Sequence, residues 1–243
     1  MRQLLAPSEY TIDADYMNGQ SNLVEVAPNI AKSIAHTCQE YGFAIVRNTF
    51  GAEEFDRLQQ DCAETFQEEV IQRRTKQCSS SEASGVVKTR EHKTQLTQPM
   101  AGLVGNFVLR LQTAAQGYPR METKESTVDA LFLAQFGPKG RVYRHTDSVS
   151  GVMCETSIDG RALMGFWRGW RKVADVVLNP NDTVVLPART PGSQPRDLIK
   201  HDVVNVTRQK DSSAQSLTRL SLIYNYGRTR PANVAKAKQT VAQ

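Results

Sequence analysis

Two short patterns in the second half of the chain combine residue types that can do chemistry. The first is His145-Thr146-Asp147, which closes a β-like run over residues 141–145. In extended chain residues i and i+2 project to the same side, so an imidazole and a carboxylate can converge on one point. A further histidine, His201, opens a second run of strand character over residues 201–206. Two imidazoles and one carboxylate on one face of a metal, with open positions opposite, form a donor set that suits ferrous iron. The second pattern, Arg219-Leu220-Ser221, follows His201 by 18 residues and again pairs i with i+2. A guanidinium offers planar bidentate donors to a carboxylate, and a hydroxyl adds a third bond. The ordinary alternatives are a surface histidine in a turn for His145 and a strand arginine paired with a carboxylate for Arg219. Asp202, next to His201, is expected to point the opposite way along its strand.

Taken in order, the pattern His-x-Asp, about fifty residues, a strand histidine, then Arg-x-Ser in a terminal strand resembles the Fe(II)/2-oxoglutarate-dependent oxygenase superfamily. The resemblance covers roughly Tyr41 to Tyr226. The opening segment, Tyr41–Asn48 followed by an amphipathic stretch, is similar to phytanoyl-CoA-hydroxylase-like members and also to the isopenicillin-synthase-like branch. The resemblance implies that His145, Asp147 and His201 hold the metal and that Arg219 with Ser221 clamps the distal carboxylate of 2-oxoglutarate. It implies Fe(II), 2-oxoglutarate and O2 as cofactors, with oxidative decarboxylation coupled to attack on a C–H bond, most commonly hydroxylation. Asp147 at the carboxylate position speaks against halogenase chemistry. One departure stands out. In the isopenicillin-synthase-like branch a tyrosine-containing run precedes the His-x-Asp motif, whereas this chain has Ala134–Pro138 there. Gln135 and Tyr143 are the candidates for a second cosubstrate contact.

The elements that must position these residues can be read from periodicity. Ile30, Ile34 and Cys38 lie four apart in residues 28–40, a helical stripe. Tyr41-Gly42 ends it, and residues 43–46 form a short apolar strand. Phe55, Leu58, Cys62 and Phe66 mark a second helix over about 52–70, and a third is expected over about 99–115 despite Gly102 and Gly105. Residues 73–93, charged and Ser-rich without apolar periodicity, read as a long loop. From residue 128 short β-rich runs alternate with turn residues: 128–136, 141–145, 162–168, 172–178, 183–187, 202–206 and 217–226. Trp167 and Trp170 flank Gly169 in a hairpin-like turn, lining a pocket or packing outside. The expected fold class is α+β, a double-stranded β-helix (jelly-roll) core with N-terminal helices packed outside. The expected organisation is a single domain, with a helical part over about 1–125, the core over about 126–227 and a basic tail at 228–243.

Composition bounds the function classes. With 243 residues, 40% of them hydrophobic and 23% charged, an ordinary globular protein is indicated. No apolar run approaches the ~20 residues needed to span a bilayer, and residues 1–13 do not read as a signal peptide, so a cytoplasmic location is expected. Cys38, Cys62, Cys78 and Cys154 show no zinc-finger or disulfide spacing and read as reduced core thiols. The net charge of +5 gathers in residues 73–93 and in the tail. Neither stretch interleaves aromatics with cations as a single-strand nucleic-acid groove does, so a small-molecule substrate is favoured over nucleic acid, and no membrane partner is expected. The competing readings are a nucleic-acid or protein oxygenase of the same chemistry and a non-catalytic jelly-roll that binds metal or ligand. His36 and His92 read as a helix-face and a loop residue.

Overall fold

The computed structural model describes residues 4–13, 28–72, 83–88, 98–121, 128–136, 142–146, 151–187, 198–207 and 219–226. In chain order the elements are α1 (Pro7–Tyr10), β1 (Thr11–Asp13), α2 (Pro28–Tyr41), β2 (Ala44–Arg47), α3 (Ala52–Gln72), β3 (Ala83–Lys88) and α4 (Gln98–Ala114). Then follow β4 (Val128–Phe136), β5 (Val142–His145), β6 (Val152–Asp159), β7 (Arg161–Arg168), β8 (Arg171–Leu178), β9 (Thr183–Pro187), β10 (Ile199–Thr207) and β11 (Arg219–Tyr226).

The helices form where apolar residues recur at helical spacing. Along α2, Ala31, Ile34, Ala35 and Cys38 are buried on one stripe. The helix stops at Gly42, whose φ of +85° is disfavoured for residues with a Cβ and whose N–H donates to the Cys38 carbonyl at 2.9 Å. A Cβ at Gly42 would also lie 2.7 Å from Ile199 Cγ1, so this turn fits closely against the start of β10. In α3 the stripe is Phe55, Leu58 and Cys62, behind a first turn carrying Glu53 and Glu54, which complement the positive end of the helix dipole. Phe107, Val108 and Leu111 bury the inner face of α4, which forms in spite of its two glycines.

The strands make two sheets. One has seven strands in the order β1-β2-β9-β6-β11-β4-β3, antiparallel except for the β1–β2 pair, and the other has four antiparallel strands in the order β5-β10-β7-β8. Two apolar clusters show how they pack. The first joins α2, α3 and α4 to Ala44, Val46, Leu133, Val152, Cys154, Val185, Leu220, Leu222 and Tyr224 of the larger sheet. The second joins Ile45, Met153, Val184 and Leu186 of the larger sheet to Ala162, Met164, Phe166, Val176, Leu178, Ile199 and Val203 of the smaller one. The larger sheet is thus covered by helices on one face and by the smaller sheet on the other. Phe43 and Phe166 stack in the second cluster with centroids 4.1 Å apart, and burying each ring contributes roughly 1.5–3 kcal/mol.

Three features differ from the sequence expectation. The front part of the chain, expected to be helical apart from the short strand at 43–46, also contributes β1 and β3 to the larger sheet. Residues 83–88, expected within a loop, form the edge strand β3 paired antiparallel with β4. An edge strand needs only one partner and no continuous apolar pattern, so periodicity does not mark it. Strand β6 was not expected at all. Seven of its eight residues are buried, including Glu155, Thr156 and Ser157, because both faces are covered and the usual alternation of apolar and polar residues is lost.

Candidate functional site

The register of the smaller sheet brings the two histidines together. His145 on β5 is the direct cross-strand partner of His201 on β10, and their ring centroids lie 4.3 Å apart. The β5–β10 register shifts between His201 and Val203, an irregularity of the kind that re-aims side chains near functional sites. His201 shares its face of β10 with Ile199 and Val203, which belong to the apolar cluster between the sheets, so its ring faces that interior, where it is buried. On β7 its partner is Phe166 of the same cluster. His145 is partly exposed, so the pair sits where the interior opens towards solvent. The Nδ1 of His145 lies 2.7 Å from the Tyr143 carbonyl. A carbonyl only accepts, so Nδ1 carries the proton and the Nε2 lone pair is the one suited to a metal.

Asp147 lies outside the described residues, as do His92, Cys78 and the basic tail. Among the described residues no group of three His, Cys, Asp or Glu side chains is arranged to hold a metal ion. The paired imidazoles are nitrogen donors of a kind that suits ferrous iron.

The Arg219/Ser221 pair lies on the larger sheet. Along β11, Leu220, Leu222 and Tyr224 pack into the helix-side cluster, while Ile223 packs against the cluster between the sheets. Arg219 and Ser221 share the parity of Ile223 and so face the same interior as His201. Both are fully buried. Among the described residues the Ser221 Oγ is buried with no hydrogen-bond partner. A buried hydroxyl without a partner is costly to leave so and is the kind of group a bound ligand satisfies. Arg219 Nη2 makes a buried ion pair with Glu155 of β6, in a short contact. The alternative weighed for Arg219, pairing with a carboxylate, is therefore realised in this structure. Glu155 was missed in the sequence because β6 was missed. A single glutamate within Val152–Asp159, amid Cys, Thr and Ser, carries no local signal of burial.

The remaining candidates fall elsewhere. The Tyr143 side chain is exposed, and Gln135 is the register partner of Leu220 rather than of Arg219 or Ser221. Asp202 accepts from Trp167 Nε1 at 3.0 Å and so lies on the opposite face of β10 from His201. Trp167 and Trp170 flank the β7–β8 turn, where Gly169 has φ +61°. The Arg144 guanidinium stands over both indoles, at 4.7 and 5.0 Å, on that same outer face. His36 is exposed on α2 beside Glu40. Cys38, Cys62 and Cys154 are buried free thiols, and burial raises the pKa of each.

No family model matches the chain, and no curated protein matches it. Solved structures do. A prolyl hydroxylase from Trichoplax adhaerens, solved with a hypoxia inducible factor oxygen degradation domain peptide, superposes with a TM-score of 0.58 at 10% identity, covering 89% of this chain and 94% of that one. The non-heme alpha ketoglutarate dependent epimerase SnoN from nogalamycin biosynthesis gives 0.58 at 13% identity, covering 86% and 89%. A full-length Neurospora crassa protein, solved in complex with alpha-KG, gives 0.55 at 14% identity, covering 89% and 84%. At such identities the likeness is one of fold. The chain shares its fold with these solved structures, a hydroxylase and an alpha ketoglutarate dependent epimerase among them.

Proposed function

We propose that the chain is a non-haem Fe(II)- and 2-oxoglutarate-dependent dioxygenase that hydroxylates a C–H bond of a small organic substrate, with its two sheets forming a double-stranded β-helix around the site. The observation that carries this reading is the cross-strand pair His145–His201 on the smaller sheet, with buried Arg219 and Ser221 facing the same interior from the larger one. His145 and His201 hold the metal through imidazole nitrogens, and Asp147, two residues from His145, supplies the carboxylate. Arg219 and Ser221 bind and orient the distal carboxylate of 2-oxoglutarate, the serine through the hydroxyl that lacks a partner among the described residues. Apolar side chains between the sheets, among them Met164, Phe166 and Val184, keep water from the reacting groups. When bound, Fe(II) and 2-oxoglutarate supply the O2-dependent oxidising chemistry, with release of succinate and CO2. SnoN, a non-heme alpha ketoglutarate dependent epimerase of a biosynthetic route, supports a small-molecule substrate.

One observation favours a second reading of the substrate. Arg144, Lys172 and Lys200 interleave with Trp167 and Trp170 on the outer face of the smaller sheet, and Trp170 is 85% exposed. Aromatic faces alternating with cations suit a single-stranded nucleic acid, which would make the chain a nucleic-acid oxygenase of the same chemistry. A salt-dependent gel shift lost in Trp170→Ala separates the two substrates. The common chemistry is tested by an anaerobic visible spectrum of the protein titrated with Fe(II) and then 2-oxoglutarate. A weak charge-transfer band that needs both additions is expected. Its absence in folded protein would overturn the reading and bring forward a non-catalytic binding jelly-roll.

A further inference from the structure

The proposed cosubstrate clamp already holds a carboxylate of the protein's own. Arg219 and Glu155 have side chains 0% and 6% exposed, so little solvent screens the charge of either. Ile223 is the register partner of Glu155 and Ser157 that of Ser221, so along the shared face of β6 and β11 the serine rung lies between the glutamate and the arginine. The two long side chains meet across the small serines, beside the hydroxyl that has no partner among the described residues.

We propose that Glu155 is a specificity-determining residue of the cosubstrate site, a resident counter-charge that limits how strongly Arg219 attracts a second carboxylate. The inference rests on the oxygenase reading above, because the ligand concerned is 2-oxoglutarate. A lone buried guanidinium would draw an incoming carboxylate strongly. Paired with Glu155, it belongs to an ion pair whose opposite charges offset each other, so attraction to Arg219 is opposed by repulsion from Glu155 of similar size. A 2-oxo acid with an uncharged distal end feels neither force in full. The native protein therefore separates 2-oxoglutarate from its C5 methyl ester only weakly, and removal of the Glu155 charge restores the selection for the dianion.

The test is anaerobic titration of the Fe(II)-loaded full chain with 2-oxoglutarate and with the C5 methyl ester, by calorimetry and by the charge-transfer band, for the native protein and Glu155→Gln. Glutamine keeps an acceptor for Arg219 at nearly the same volume. The expected result is 2-oxoglutarate binding tightened by about tenfold or more in Glu155→Gln, with the ester changed by less than about threefold and iron affinity unmoved. Weaker binding of 2-oxoglutarate in the variant, or equal change for both ligands, would overturn the proposal and leave Glu155 a scaffold for Arg219. Should Glu155→Gln fail to fold, the native protein decides alone: a preference for 2-oxoglutarate over the ester below about tenfold supports the counter-charge, and one above about a hundredfold overturns it. Binding of neither ligand by native protein, or binding unaffected by Arg219→Lys, would overturn the oxygenase reading and this inference with it.

Discussion

The Arg219–Glu155 pair allows a stability test that needs no knowledge of the substrate. Exposed ion pairs contribute about 0–1 kcal/mol. This pair belongs to the other regime, because its side chains are 0% and 6% exposed and both strands are interior to the larger sheet. Arg219→Met removes the cation and leaves the Glu155 carboxylate without its guanidinium between the sheets, a change that costs about 3–5 kcal/mol. Glu155→Leu removes the carboxylate from beside Arg219 instead and should cost a similar amount. The double replacement Arg219→Met/Glu155→Leu removes both desolvation penalties at once and should lie within about 2 kcal/mol of the native protein. Urea unfolding of the four proteins, with m checked for constancy, gives the coupling energy directly. In a thermal scan each single variant should melt roughly 6–20 °C lower for a chain of this size. Single variants that each cost less than about 1 kcal/mol would refute the reasoning, because they would mean that water reaches the pair.

Four further outcomes are expected. Ser221→Ala should weaken 2-oxoglutarate by about three- to tenfold in the anaerobic titration while leaving unfolding midpoints unchanged, since its Oγ has no protein partner among the described residues to lose. Gly42→Ala should destabilise the protein by about 1–3 kcal/mol in urea, through its positive φ and the 2.7 Å approach of a Cβ to Ile199 Cγ1. Cys38, Cys62 and Cys154 should resist a thiol reagent at pH 8 in native protein and react on denaturation, as read by mass mapping, because desolvation favours their neutral forms. Their raised folded pKa values carry a pH dependence with a definite sign. The stabilisation is complete below the unfolded thiol pKa near 8.5 and is lost as pH climbs towards the folded values, so urea midpoints should fall above about pH 9.

Much of the helical architecture follows from local pattern. The Ile34 and Cys38 stripe, its stop at Gly42 and the Phe55, Leu58, Cys62 stripe all report burial at helical spacing, a property of neighbours in the chain. Strands β7 and β8 were equally legible, since they combine β-branched or aromatic residues with turn residues at their ends. Strands β3 and β6 were not legible, for opposite reasons. An edge strand needs little apolar pattern, and a strand covered on both faces loses its alternation.

The candidate site divides in the same way. The residue types and the i, i+2 spacings of His145 with Asp147 and of Arg219 with Ser221 are local, and chain alternation is enough to say which members of each pair share a face. That His201 stands directly across from His145 is a matter of register between strands more than fifty residues apart, and only the packing of the smaller sheet decides it. Likewise, Arg219 and Glu155 lie 64 residues apart, in two strands joined by the order of the larger sheet. The sequence by itself determined which groups were available for iron and for a carboxylate. The tertiary structure alone determined that the arginine already has a carboxylate against it, because the pairing arises from burial between two sheets, and burial is a property of the whole fold.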